Sequence, residues 1–194
     1  MSTDSTKSAP GSDESGAILL PIARAAISAA LGRTLEAAED AVWLQELGAC
    51  FVTLTQQEQL RGCIGTLEAH RSLLTDLKSN AVAAALHDPR FLPLAVTELE
   101  HTEIEVSLLS PMQAMRFDSE ADALAQLQPG IDGVVFEFER YRSTFLPQVW
   151  EQLPTTTEFM AHLKHKAGLP PDFWAKGVRL HRYGVRKWKE RKAS

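Results

Sequence analysis

LRGCIGTL, residues 60–67, sets an arginine and a cysteine two positions apart in a run that otherwise reads as a buried strand, with a glycine beside each. Glycine weakens a strand and usually marks a bulge, or a place where a ligand or another backbone comes close. The upstream run GACFVTLT (48–55) also reads as a strand, and QQEQ (56–59) is a polar four-residue connection, so the two form a β-hairpin. Closing that hairpin symmetrically about residues 57 and 58 sets 52 opposite 63 and 50 opposite 65. Cys50, Val52, Leu54, Arg61, Cys63 and Gly65 then share one face. The two thiols are a diagonal pair on it, farther apart than the roughly 4 Å between Cβ atoms that a disulfide needs. An arginine on the same face favours a neighbouring thiolate, which makes Cys63 a candidate nucleophile and Arg61 its stabiliser. The opposing reading is that a free cysteine packs as a small apolar side chain.

Outward from the hairpin the chain alternates helical and strand patterns. Leu19, Ala23, Ile27, Ala30 and Leu31 recur at helical spacing, with Arg24 on another face and Pro21 tolerated in the first turn. LEAAEDAVWLQEL (35–47) reads either as a helix by propensity or as a loop anchored on the core by Trp43 and Leu44. A helix is expected from about Ser72 to His87, ended by Pro89. TEIEVSLL (102–109) alternates, Thr102, Ile104, Val106 and Leu108 against Glu103, Glu105 and Ser107, as a half-buried antiparallel strand does. A short helix over 119–128, a turn at PGIDG, a strand over 134–140 with a partner near RSTFL, and a helix capped by Thr155 and Glu158 follow. GVRLHRYGV (177–185) reads as the final strand.

Composition bounds the rest. The chain has 194 residues, a formal charge of −5 and 44% hydrophobic residues, enough for one large domain or two small lobes. The mildly acidic balance argues against coating nucleic acid. Residues 1–16 are too polar to offset the entropy of ordering and read as a disordered leader. From Lys176 onward cations face a single carboxylate, Glu190, so the end, residues 188–194, reads as a solvated basic tail, with contact to nucleic acid or an acidic partner as the alternative. Two cysteines make no disulfide framework, and AILLPIARAAISAAL (17–31), interrupted by Pro21 and Arg24, suits neither a signal peptide nor a membrane span. A cytoplasmic protein with reduced thiols is expected. Cys50, Cys63, His70 and His87 lack the spacing of a zinc site, and no glycine-rich loop sits where it would cradle a phosphate, so no metal and no cofactor are expected.

LRGCIGTL, DPRFLPL (88–94), EIEVSLLS (103–110), GIDGVVFE (130–137) and STFLPQVWEQLP (143–154), in that order, resemble the AMMECR-type domain family, in particular its bacterial branch called AmmeMemoRadiSam system protein A. The likeness runs from about Leu19 to Lys187. It implies an α+β fold, an antiparallel sheet with flanking helices in a larger lobe and a smaller lobe from the middle of the chain, in one two-lobed domain over 17–187. It implies no settled activity; by gene neighbourhood the bacterial members look like partners of a radical SAM protein and a Memo-like protein. Carried over by position, its motifs fall on Arg61 and Cys63, on Asp88 and Arg90, on Glu105, and on Thr144 and Gln148. Asp88 and Arg90 then either pair locally in a turn or set Arg90 beside Arg61 as a site for a small anionic ligand. Thr144 and Gln148 are candidates to line the same cleft; Glu105 is a candidate binding residue that, with Glu103, otherwise reads as a solvated strand face unless the second lobe covers it. Two functions follow: an accessory or adaptor component that presents this surface to those partners, or an enzyme using Cys63 as nucleophile with Arg61 as thiolate or anion stabiliser.

Overall fold

The computed structural model describes residues 12–190. Its elements are α1 (Ser12–Ala30), β1 (Cys50–Gln56), β2 (Gln59–Gly65), α2 (Leu73–Leu86), β3 (Glu103–Leu109), β4 (Gln113–Ala114), α3 (Glu120–Gln126), β5 (Gly133–Phe138), β6 (Tyr141–Phe145), α4 (Thr156–Lys166), β7 (Arg179–Tyr183) and β8 (Val185–Lys189). They divide into two compact units, one made of the chain up to Leu108 and from Arg186 onward, the other of Leu109–Val185. The fold is α+β.

In the first unit the sheet order is β2-β1-β3-β8, with β1 antiparallel to both β2 and β3. Leu19, Ile22, Ala23 and Ile27 of α1 and Leu73, Leu77, Ala81 and Ala84 of α2 meet Val52, Leu54, Ile104 and Val106 of the sheet in one core. Each large side chain removed from water there contributes roughly 1.5–3 kcal/mol. The helical spacing and the strand alternation therefore serve the same core. Ser72 caps α2, accepting from the Thr75 N–H at 3.3 Å.

Several expectations change here. α1 reaches back to Ser12, into the stretch read as leader, so Pro21 lies inside the helix rather than in its first turn. The carbonyl it leaves without an N–H, that of Ala17, belongs to an exposed residue where water can serve it. Residues 1–11 of the expected leader lie outside the described residues. The stretch 35–47 takes the loop alternative, with a single 3-10 turn at Val42–Gln45, fully buried Leu44 as its anchor, and Trp43 packed on the same core. The supposed final strand is two strands in different sheets, β7 and β8, broken at Gly184. Trp188 and Lys189 of the expected tail thus belong to β8, and residues 191–194 lie outside the described residues. Lys189 and Lys187 meet Glu103 and Glu105 at 2.8 and 3.9 Å, so part of the basic run is matched by carboxylates of the neighbouring strand.

In the second unit the sheet order is β4-β7-β5-β6, all antiparallel. Phe136, Leu180, Phe159 and Leu163 pack with Trp150, whose ring stacks on Phe159 at 3.7 Å between centroids. Thr155 caps α4 through the Glu158 N–H at 3.2 Å, as its sequence announced. Lys164, almost fully buried, is paired with Glu120 and lies 5.6 Å from the Trp174 ring centroid. Among the described residues no helix is long and apolar enough to cross a membrane, and no three His, Cys, Asp or Glu side chains group as metal ligands.

Candidate functional site

The β1–β2 hairpin closes about Gln57 and Glu58, both left-handed at φ 49° and 65°, and pairs Gln56 with Gln59 and Thr55 with Leu60, as symmetric closure requires. The register then shifts: Leu54 faces Gly62, Thr53 faces Cys63, Val52 faces Ile64 and Phe51 faces Gly65, which leaves Arg61 as the extra residue of a bulge. The expected 52–63 and 50–65 pairings are therefore displaced by one residue. Cys50, Val52 and Leu54 turn into the core with Gly62, while Cys63 takes the opposite face with Thr53. The two thiols do not share a face. The cause is Gly62, where an added Cβ would lie 2.1 Å from the Ala84 carbonyl oxygen of α2. Helix and strand touch backbone to backbone there, which demands glycine on the inner face. Gly65 answers to a different neighbour, the Phe51 ring, 2.2 Å from where its Cβ would be.

Cys63 is half-buried, its sulfur 3.3 Å from Thr53 Oγ1. Its N–H donates to Asp88 Oδ2 at 2.9 Å, and its carbonyl accepts from Arg90 Nη2 at 3.2 Å. Asp88, with almost no exposed side chain, also takes two bonds from the Arg90 guanidinium, at 2.7 and 3.0 Å. That guanidinium, then the backbone N–H groups of Cys63 and Arg90, hold the Asp88 carboxyl far below the usual carboxylate range against the opposing effect of burial. Asp88 and Arg90 thus pair locally in this turn.

Arg61 sends Nε and Nη2 to the two oxygens of Glu98, each at 3.1 Å. Glu98 also accepts from the Ala95 N–H at 2.7 Å and from Gln56 at 3.3 Å, and its carboxyl is drawn down to about 2, chiefly by Arg61. The expected role of Arg61 as a thiolate stabiliser has to contend with that engagement: its fork serves Glu98. Both guanidiniums lie over the Phe91 ring, that of Arg61 5.9 Å and that of Arg90 5.6 Å from its centroid. An anion entering here would meet two guanidiniums whose Nε and Nη2 groups are already engaged by Glu98 and Asp88. Arg61 and Glu98 line a cleft of about 400 Å³ together with Gln56, Gln59, Thr97 and His101.

Glu105 stands opposite Thr53 on β3, so Cys63, Thr53 and Glu105 form a row across three strands. Thr144 and Gln148 belong to the second unit: the Thr144 hydroxyl is 3.0 Å from the Tyr183 hydroxyl, and Gln148 is exposed in the 3-10 turn Pro147–Glu151. Sequence reasoning missed Thr53 and Glu98, partners supplied by register and by a distant loop. It also missed Asp76, fully buried on α2, which accepts from the Cys50 N–H at 2.9 Å, Thr66 at 2.7 Å and Arg71 at 2.8 Å. The legible sign was Asp76 and Asn80, one helical turn apart on the otherwise apolar face of α2. Burial first, then the Asp76 carboxylate, pushes the Cys50 thiol far up, which leaves it an unreactive core group.

The AMMECR1 family profile matches residues 20–188. Protein MJ0810 of Methanocaldococcus jannaschii is 37% identical over 153 residues, covering 75% of this chain and 74% of its own. A protein of Methanothermobacter thermautotrophicus is 37% identical over 187 residues, covering 91% and 95%. The crystal structure of the uncharacterized protein PH0010 from Pyrococcus horikoshii superposes with a TM-score of 0.74 at 32% identity over 92% of each chain.

Proposed function

Because the chain belongs to the AMMECR1 family, we propose that it is an accessory component which presents the Cys63-bearing edge of its first unit to a protein partner, acting with a radical SAM protein and a Memo-like protein. The observation that carries this reading is how the groups around Cys63 are engaged. Both nearby guanidiniums are held by carboxylates, while Leu92, next to Phe91, is 83% exposed and Leu60, next to Arg61, 44% exposed. Apolar side chains around an aromatic flanked by arginines are the composition of a protein-binding patch rather than of a site that must activate a nucleophile. The partners follow from the resemblance to the bacterial branch. The test is a pull-down with both candidates: the wild-type chain captures at least one, Leu92→Asp loses capture by about tenfold or more, and Cys63→Ser retains it. Capture of neither protein, or capture indifferent to Leu92→Asp, overturns the reading.

The second reading, an enzyme with Cys63 as nucleophile, draws on one contact, the Thr53 hydroxyl 3.3 Å from the sulfur, which can donate to a thiolate. It requires Cys63 to be alkylated by iodoacetamide faster at neutral pH than free cysteine. The accessory reading expects a rate no faster.

A further inference from the structure

β2 is an edge strand, so the outward N–H and C=O of Cys63 have no strand beyond them. Their partners are two side chains of one loop, Asp88 accepting at 2.9 Å and Arg90 donating at 3.2 Å. The two are locked to each other, and the Arg90 N–H returns to Asp88 Oδ1 at 3.1 Å. Carboxylate and guanidinium together offer Cys63 the acceptor and donor that a neighbouring strand would offer. The loop is fastened again at Leu94, buried, whose N–H donates to the Ala85 carbonyl at 2.8 Å. Between these two fastenings stand Phe91 and the exposed Leu92.

We propose that the Asp88–Arg90 pair is a strap that keeps the Cys63 segment closed, and that displacing the loop over 88–94 releases it and exposes the thiol. The trigger, a partner that engages Leu92, rests on the docking reading above; the strap itself does not. With the strap off, the Cys63 peptide loses both outward bonds and the edge opens locally, at a lower free energy than global unfolding. Asp88 and Arg90 hold the Cys63 backbone as positioning residues, and the Arg90 guanidinium also interacts electrostatically with the Cys63 side chain.

Cys50, fully buried on the opposite face, is an internal control that reacts only when the first unit unfolds. Alkylation of the whole protein by iodoacetamide forms a sulfur–carbon bond, expels iodide and passes the thiol proton to solvent, and it is followed at each cysteine by peptide mass spectrometry. Asp88→Ala and Arg90→Ala are each expected to speed Cys63 about tenfold or more with Cys50 unchanged, and because the second also removes the cation beside the sulfur, a rise in the first alone is electrostatic and overturns the strap. Asp88→Asn, which keeps an acceptor for the Cys63 N–H but loses the ion pair, is expected to fall between wild type and Asp88→Ala, and it serves if Asp88→Ala does not fold. An unchanged Cys63 rate, or Cys50 rising in parallel, overturns the strap. For the trigger, the wild-type chain is saturated with a captured partner. A Cys63 rate that does not change overturns the coupling, whereas capture of neither candidate defeats the docking reading and leaves the result from the variants standing.

Discussion

At Gly62 one missing carbon sets the geometry of the site. The added methyl of Gly62→Ala would strike the backbone of α2 at Ala84, which cannot step aside as a side chain can. A cost of about 2–3 kcal/mol is expected, read as a lowered urea midpoint with an unchanged slope. Gly65→Ala, which meets the movable Phe51 ring, is expected to cost less, and equal losses at the two positions would refute the assignment. Glu98 provides a second residue-level test. Its carboxyl sits at about 2 rather than the ordinary 4.5, so its contribution to stability is fully present above about pH 4.5 and fades as pH falls through 2. Glu98→Gln should therefore be less stable than wild type at pH 7, and the gap should narrow as the pH drops below about 4.5. A gap that is the same at pH 7 and pH 3 would mean that charge plays no part. The glycines announced close approach in the sequence; what approached them was not legible, because Ala84 and Phe51 arrive by tertiary packing.

Elements are joined by contacts of equally long range. Arg24 of α1 sends Nε to Glu190 Oε1 at 2.6 Å, across 166 positions, and donates to the carbonyls of Leu99 and Thr102. The other Glu190 oxygen takes the Ile104 N–H at 2.9 Å. One side chain just past β8 thus fastens that strand's end to both α1 and β3. Glu190→Ala is expected to cost about 1–2 kcal/mol and to speed amide exchange along β8 before that of α2. Uniform acceleration across the first unit would show that the fastening is not local. In the sequence Arg24 was legible only as the polar face of an amphipathic helix. The bulge at Arg61 shows the same limit at the scale of the hairpin: turn and strands were legible, and the one-residue shift that separates Cys50 from Cys63 was not.

For the whole molecule the chain order matters most. The second unit is one continuous stretch placed between β3 and β8, which the first unit needs side by side. The chain enters and leaves that stretch at one point, where the Ser110 N–H donates to the Gly184 carbonyl at 2.9 Å and the Gly184 N–H to Ser110 Oγ at 2.8 Å. Replacing residues 110–184 by a short glycine linker is therefore expected to leave a first unit that melts cooperatively. The chain cut after Leu108, without β8 and Glu190, should be markedly less stable. Similar melting of the two would show that β8 is dispensable.

The sequence by itself determined which segments become helix or strand across most of the chain, where α2 and α4 are capped, and membership of a family, because periodicity, caps and motifs are properties of neighbouring residues. Only the tertiary structure decided which face Cys63 occupies, that Arg61 and Arg90 are held by Glu98 and Asp88, and that the last strand pattern divides between two sheets. Strand alternation repeats every two residues and is indifferent to which of the two faces is buried; the close approach of a helix to one glycine made that choice.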